Sequence, residues 1–215
     1  MKTENVIGGI TSSAVLIDLN ISEWTGRKKD RANTRKVTHD NNAADNAALV
    51  TKKLFVDNPK LEAIHSQAAS MRKYISNVTL PWAGTLKLLP IAQFLDVTNE
   101  LSDMKIEFDK RVADFIHDYN TQVSATAFKL GAMFNRSDYP TAGEIAHKFS
   151  VSWDILPLPD SGDFRVDAEN TLREELASAY EKSMKDKMAE ANLLLWERLK
   201  ECLDRIVDRL DVVDG

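Results

Sequence analysis

Residues 101–134 read LSDMKIEFDKRVADFIHDYNTQVSATAFKLGAMF. Within them Leu101, Met104, Phe108, Val112, Phe115, Tyr119, Val123, Thr126, Leu130 and Phe134 follow at spacings of 3-4-4-3-4-4-3-4-4. A later stretch repeats the rhythm: Ala177, Tyr180, Met184, Met188, Ala191, Leu195, Leu199, Cys202, Ile206, Leu210 and Val213 at 3-4-4-3-4-4-3-4-4-3. Residues three and four apart share one helix face. An 11-residue recurrence, about 3.67 residues per turn, keeps that face straight or slightly right-handed, where a heptad would wind it left-handed. The sequence therefore predicts two long helices, over 94–134 and 166–213, each with a stripe on the order of 50 Å long. Their common period predicts that they pack together as a long antiparallel helical hairpin, a stalk, and residues 135–164 are long enough to reverse the chain.

Working outward, three short segments alternate with period two, as a strand with one buried and one wet face must. They are Val15, Ile17, Leu19 and Ile21 against Asp18, Asn20 and Ser22; Leu86 and Leu88 around Lys87; and Phe149, Val151, Trp153 and Ile155 against Ser150, Ser152 and Asp154. They predict a small, one-sided, three-stranded sheet with strands near 15–23, 85–89 and 149–155. A helix is expected over 43–78, broken near Asn58-Pro59, where Asn suits the cap and Pro the first turn. Leu61, Ile64, Ala68, Met71, Ile75 and Val78 form its apolar face, and Pro81 and Gly84 end it. Thr141 and Glu144 have the capping-box spacing of a short helix. The expected fold class is α+β, predominantly α: an α+β head from 1–93 and 135–165 beside the helical hairpin of 94–134 and 166–213.

Composition narrows the class. Of 215 residues, 28% are charged, Gly and Pro number 8 and 6, and 43% are hydrophobic, which excludes a loop-rich β domain and a disordered chain. No apolar run approaches the roughly 18–20 residues of a membrane helix, and Lys2 and Glu4 precede no apolar leader core. One cysteine builds neither a disulfide framework nor a cysteine zinc site. A soluble cytoplasmic protein is the expectation.

The net charge of −5 conceals an asymmetry. Residues 26–36 carry Arg27, Lys28, Lys29, Arg31, Arg35 and Lys36, and residues 1–53 hold 9 basic against 6 acidic side chains. This basic segment, read as a loop after the first strand, is the candidate contact for an acidic protein surface or for nucleic-acid phosphates; no aromatic is interleaved to stack on bases. Leu172, Leu176, Leu194 and Trp196 lie off the main stripe and are the candidate contact between copies of the chain.

Chemistry finds less support. Glu62-x-x-His65, Asp114-x-x-His117 and Glu144-x-x-His147 have the spacing of di-iron ligands, but Asp114 and His117 flank their stripe and Glu144 is better used as a cap. Cys202 sits on the apolar stripe as a small core residue. No nucleophile elbow or phosphate loop occurs. No catalytic residue, metal ligand or cofactor is expected. Pro81-Trp82, Tyr139-Pro140 and Leu156-Pro157-Leu158-Pro159-Asp160 read as corners between helix and strand.

Several of these pieces together resemble a known family: Ile21-Ser-Glu-Trp24-Thr-Gly26-Arg27-Lys28-Lys29, Leu80-Pro81-Trp82, Glu107-Phe108, Phe115-Ile-His-Asp-Tyr119, Phe134 to Tyr139-Pro140, and Leu156-Pro-Leu-Pro-Asp160. It is an uncharacterised domain family of tailed phages and some bacteria, often encoded near a MoxR-type AAA ATPase and a von Willebrand A protein. The resemblance implies a phage or mobile-element origin and work beside an ATPase module or on phage DNA. It transfers no catalytic residue. The expected function is a non-enzymatic binding protein that self-associates through its long helices and meets a protein partner through the head and its basic segment. The alternative is a DNA-binding accessory protein of phage replication, recombination or packaging.

Overall fold

The computed structural model describes residues 13–158 and 170–211, with side chains described over 175–209 in the second stretch. In chain order the elements are β1 (Ala14–Ser22), β2 (Arg27–Lys29), α1 (Arg31–Asp40), β3 (Thr51–Lys53), α2 (Pro59–Val78), β4 (Leu80–Ala83), β5 (Leu86–Pro90), α3 (Phe94–Leu130), α4 (Ala142–Ala146), β6 (Ser150–Pro157) and α5 (Asn170–Asp211). The chain is predominantly helical, with a four-stranded sheet ordered β4-β5-β1-β6 and a separate β2-β3 pair. It forms two compact units: residues 1–19, 74–98 and 153–215, and residues 20–73 and 99–152.

In the first unit β1 and β5 run antiparallel, with Val15 opposite Leu89 and Leu16 opposite Leu88. The sheet has four strands, not the three expected. The extra one, β4, contains Pro81 and turns at Gly84 (φ +58°) back onto β5. Four residues with a central Pro carry no readable alternation, and the edge position is where a strand tolerates Pro. Nor is the sheet one-sided at this end: Ala14 and Leu16 are buried, and so are Ile17 and Leu89. Ala14, Leu16 and Leu88 form a cluster with Leu158 and Met184, joined by Leu80, Trp82, Leu86, Tyr180 and Met188. The first half of the α5 stripe thus lies on this sheet, beside β4, with the Lys187 ammonium 5.4 Å from the Trp82 ring centre. Arg198 donates to the carbonyls of Ser76 (2.9 Å), Asn77 (3.2 Å) and Thr79 (3.2 Å). A cation there satisfies the last free carbonyls of α2 and opposes its dipole.

The second unit holds most of α2 and α3. The face of α2 predicted from spacing is the buried one: Leu61, Ile64, Ala68, Met71 and Ile75 are all at most 6% exposed. Four contacts fix the direction of its neighbour. Lys60 pairs with Asp118 and donates to the Asp114 carbonyl (3.2 Å), Arg111 donates to the Ala63 carbonyl (2.9 Å), and Gln67 to the Met104 carbonyl (3.0 Å). Partner numbers rise on one helix as they fall on the other, so α2 and α3 are antiparallel. The common period of the long helices predicted α5 as the partner of α3; the stripe of α3 is filled within its own unit. Period alone does not select a partner, and the shorter α2 carries a matching face.

The expected helix over 43–78 begins only at Pro59. Before it the chain forms turns and β3, because Asn58 caps α2: its side-chain oxygen accepts from the amides of Lys60 and Leu61, both at 3.1 Å. One further departure concerns a side chain. Cys202, expected in the core, is exposed, since the second half of α5 runs past the residues that bury its first half. Pro159 and Asp160 of the last corner, and the stripe residue Val213, lie outside the described residues.

The centre of the second unit is aromatic. The Phe55 ring stands edge-on to Trp24 (5.8 Å between centres), Phe115 (5.8 Å), Tyr119 (5.8 Å) and Tyr139 (5.7 Å), and Phe115 meets Phe149 at 6.1 Å. Edge-to-face pairs add to area burial. Phe55→Ala is therefore expected to destabilise the protein by about 3–5 kcal/mol, read as a lowered urea midpoint with retained cooperativity. Phe55→Leu, which keeps most of the volume, should lose much less.

Candidate binding surface

The basic segment is not a loop. Arg27–Lys29 is strand β2, paired antiparallel with β3 in the register Arg27–Lys53, Lys28–Lys52, Lys29–Thr51. Residues 31–40 form α1, started by Asp30, whose Oδ1 accepts from the Asn33 amide at 3.0 Å. The same bond is the main cause holding the Asp30 carboxyl below its usual range. The Thr34 hydroxyl donates to the Asp30 carbonyl (2.7 Å) and accepts from the Val50 amide (3.0 Å), which ties α1 to the strand pair. Periodicity hides these elements: β2 and β3 are three polar residues each, and Val37 is the one apolar residue in α1 beyond Ala32.

The chain enters this surface through Gly26. Its φ is +62°, and a Cβ there would lie 2.8 Å from Leu61 Cδ2. Its carbonyl accepts from the Leu54 amide at 2.7 Å. Both the backbone angle and the close approach to α2 require glycine.

Lys28 and Lys52 face each other across the strand pair, a like-charge arrangement that destabilises on its own. Asp138 resolves it. One carboxylate oxygen takes Lys28 Nζ at 2.9 Å and the other pairs with Lys52 Nζ, which also donates to the Met133 carbonyl at 2.8 Å. Lys52 and Asp138 are nearly buried, at 7% and 10% side-chain exposure. Burial pushes the Asp138 carboxyl up, and hydrogen bonds from Lys28 and Lys52 outweigh it and hold it below the carboxylate range.

The six cations named from sequence therefore divide. Lys28 serves the clamp. Arg27 and Lys29 on β2, and Arg31, Arg35 and Lys36 on α1, are exposed and form no ion pair among the described residues. Sequence reading missed Lys52, Lys53 and Asp138. Lys52-Lys53 was visible as a second basic pair, but nothing local pointed to an acid 86 positions away. Lys28, Lys29, Arg31 and Asn33 line one wall, and Met133, Phe134 and Asn135 the other, of an open groove of about 870 Å³.

A smaller cavity of about 430 Å³ adjoins the Arg27–Lys53 pair, lined also by Glu23, Asp57, Glu62 and His65. His65 Nδ1 is 2.6 Å from Glu23, whose other oxygen accepts from Arg72 at 2.7 Å. Burial raises the Glu23 carboxyl and these two partners overcome it, leaving it below its usual value. So His65 is held by Glu23, not placed with Glu62 as the spacing suggested. His117 is exposed beside Asp118, and Glu144 completes the predicted capping box with Thr141. Among the described residues no group of three such side chains is placed to hold a metal. Of the candidate self-contact residues, Leu176 and Leu194 are half-buried and Trp196 is 69% exposed; the Leu172 side chain lies outside the described residues.

Removing the anion from the clamp leaves a buried cation. Asp138→Asn is expected to cost about 3–5 kcal/mol in urea denaturation, and the double change Asp138→Leu with Lys52→Met to recover most of it. Because the Asp138 pKa is depressed, its contribution is complete above the unfolded value of about 4 and disappears as pH falls through the folded value. Acid titration of stability should therefore be shallower in the Asn variant than in the wild type.

No curated protein and no solved structure matches the chain. No described helix is long and apolar enough to cross a membrane. A family model described as "Protein of unknown function (DUF3150)" matches residues 11–209, nearly the whole sequence, and the chain belongs to that family.

Proposed function

We propose that this is a non-enzymatic, phage-type cytoplasmic protein that binds other macromolecules. It meets an acidic surface of a protein partner, such as an AAA ATPase module or a host factor, through the β2–β3–α1 face, and it self-associates through its long C-terminal helix. The observation that carries this reading is the set of exposed cations without acidic partners, Arg27, Lys29, Arg31, Arg35, Lys36 and Lys53, on a pair of strands and a helix that are rigidly tied together. In a chain of net charge −5, a cluster of exposed cations draws anionic partners and speeds encounter.

A second reading is favoured by the arrangement of α1. Arg31 and Arg35 stand one turn apart on an exposed helix beside the cations of β2, a spacing that can follow phosphates. The DNA-binding accessory role rests on that feature.

Fluorescence anisotropy against a polyglutamate peptide and against a duplex DNA tests both readings. Binding of the peptide at low salt, weakened about tenfold or more by Arg27→Glu with Lys29→Glu and Arg35→Glu, is the expected result. Equal affinity of wild type and variant, or no binding at low salt, overturns the assignment of this face. Stronger binding to the duplex, with a salt slope that falls by about one for each cation removed, favours the DNA role instead.

A further inference from the structure

From Leu193 onward the exposed apolar residues of α5 fall into a different period from the stripe that precedes them. Trp196, Leu199, Leu203 and Ile206 follow at 3-4-3, and the sequence continues the pattern to Leu210 and Val213. This is a heptad, with Trp196 and Leu203 at positions a and Leu199 and Ile206 at positions d. Leu193, Leu195, Cys202 and Val207 occupy the flanking e and g positions and widen the apolar band. Glu197, Arg198, Glu201, Asp204, Arg205 and Asp208 all fall at b, c and f, away from it.

Among the described residues, nothing in its own unit covers this band. Trp196 is 69% exposed, Leu203 52% and Val207 54%. Arg198, bonded to the end of α2, holds the opposite side of the helix to its unit, so the heptad face is directed away. Every residue from 199 to 209 is exposed. That is about 16 Å of helix, the continuation of the packed first half of α5. The apolar surface left open is on the order of 700 Å², close to the roughly 800 Å² that each partner contributes to a specific interface. The stripe of α3 is not available to cover it, because Leu101, Phe108, Phe115, Tyr119 and Val123 are buried already. The apolar residues that α3 leaves exposed, Leu95, Ile106 and Phe128, stand at least about 16 Å apart along its axis.

We infer that residues 193–209 are the seam of a parallel, in-register coiled coil formed by three or four copies of this chain. It specifies the self-association in the proposed function and rests on that reading. In the second of the two heptads leucine at a precedes isoleucine at d, a combination that disfavours two strands and favours three or four, and Leu193, Leu195, Cys202 and Val207 among the e and g positions supply the broader contact that more strands need. Identical helices in register place the charges at b, c and f outside the contact on every copy, with Lys200 at e and Arg209 at g on its edges.

Light scattering coupled to size exclusion on the full chain tests this. The expected mass is three or four times 24.1 kDa, falling to a monomer in the Leu199→Glu, Ile206→Glu variant while the urea transition of the remainder persists. A bifunctional maleimide should join Cys202, the single cysteine, to its counterpart in the neighbouring copy. A wild-type monomer at tens of micromolar overturns the inference, and a dimer overturns the a/d assignment. A trimer or tetramer that the maleimide does not join overturns the parallel register. Dilution of the wild type supplies the same reading should the double variant not fold. The basic-face variant should keep the assembled mass, and the seam variant should still bind polyglutamate, so the seam and the basic face fail separately.

Discussion

Everything on the basic surface depends on one buried carboxylate. Strands β2 and β3 place Lys28 directly opposite Lys52, and without a counter-charge this register would be repulsive. Asp138 gives one oxygen to each lysine. A salt bridge of this kind is poor stabilisation compared with an apolar pair, but it is selective. It fixes the strand register, since a slip of either strand by one residue would turn that strand's lysine away from the acid. With Lys28 and Lys52 paired to Asp138, the remaining cations of the strand pair and α1 form no ion pair among the described residues and stay available to solvent. The clamp therefore does two things: it makes a lysine-rich strand pair foldable, and it decides which cations remain free.

Asp138 reaches that position through the aromatic core. Tyr139 follows it directly, is buried against Phe55, and donates to the Leu54 carbonyl at 2.6 Å; burial pushes its hydroxyl up to about 12, so it is protonated and a donor at neutral pH. The Tyr119 hydroxyl donates to the Pro140 carbonyl at 2.9 Å. The two tyrosines thus fasten the 138–140 turn between the end of β3 and the middle of α3. The surface is polar and the lever behind it is apolar: loss of ring packing would move Asp138 and, with it, the strand register.

How much of this could be read in the sequence follows from which forces leave local traces. Burial of a helix face leaves a period, so the stripes of α2 and α3, the cap at Asn58 and the capping box at Thr141 were all legible. The two long helices were located to within a few residues. Pairing leaves no such trace: the α3 stripe says that it is buried, not that α2 buries it. Elements held by charge and backbone alone are equally silent. The strands RKK and TKK have no alternation and α1 has no apolar face, so the segment reads as a loop marked only by its cations. Asp138 was invisible for the same reason, being an ordinary acid until the fold sets it between two lysines. In α5 the period was legible but its meaning changed midway. Leu199 and Ile206 belong to both an 11-residue and a 7-residue series, and only exposure separates the half that meets the sheet from the half that does not.

The basic face and the C-terminal seam operate in different physical regimes, and this is why they suit one molecule. Exposed ion pairs are individually weak and screened by salt, so a single cationic face holds a partner only loosely. The α5 band is apolar and insensitive to salt. Joining three or four chains through it would present as many cationic faces at high effective concentration. A partner with repeated acidic surfaces, or an extended polyanion, would then be held by several weak contacts at once, with an avidity that exceeds any one of them by orders of magnitude.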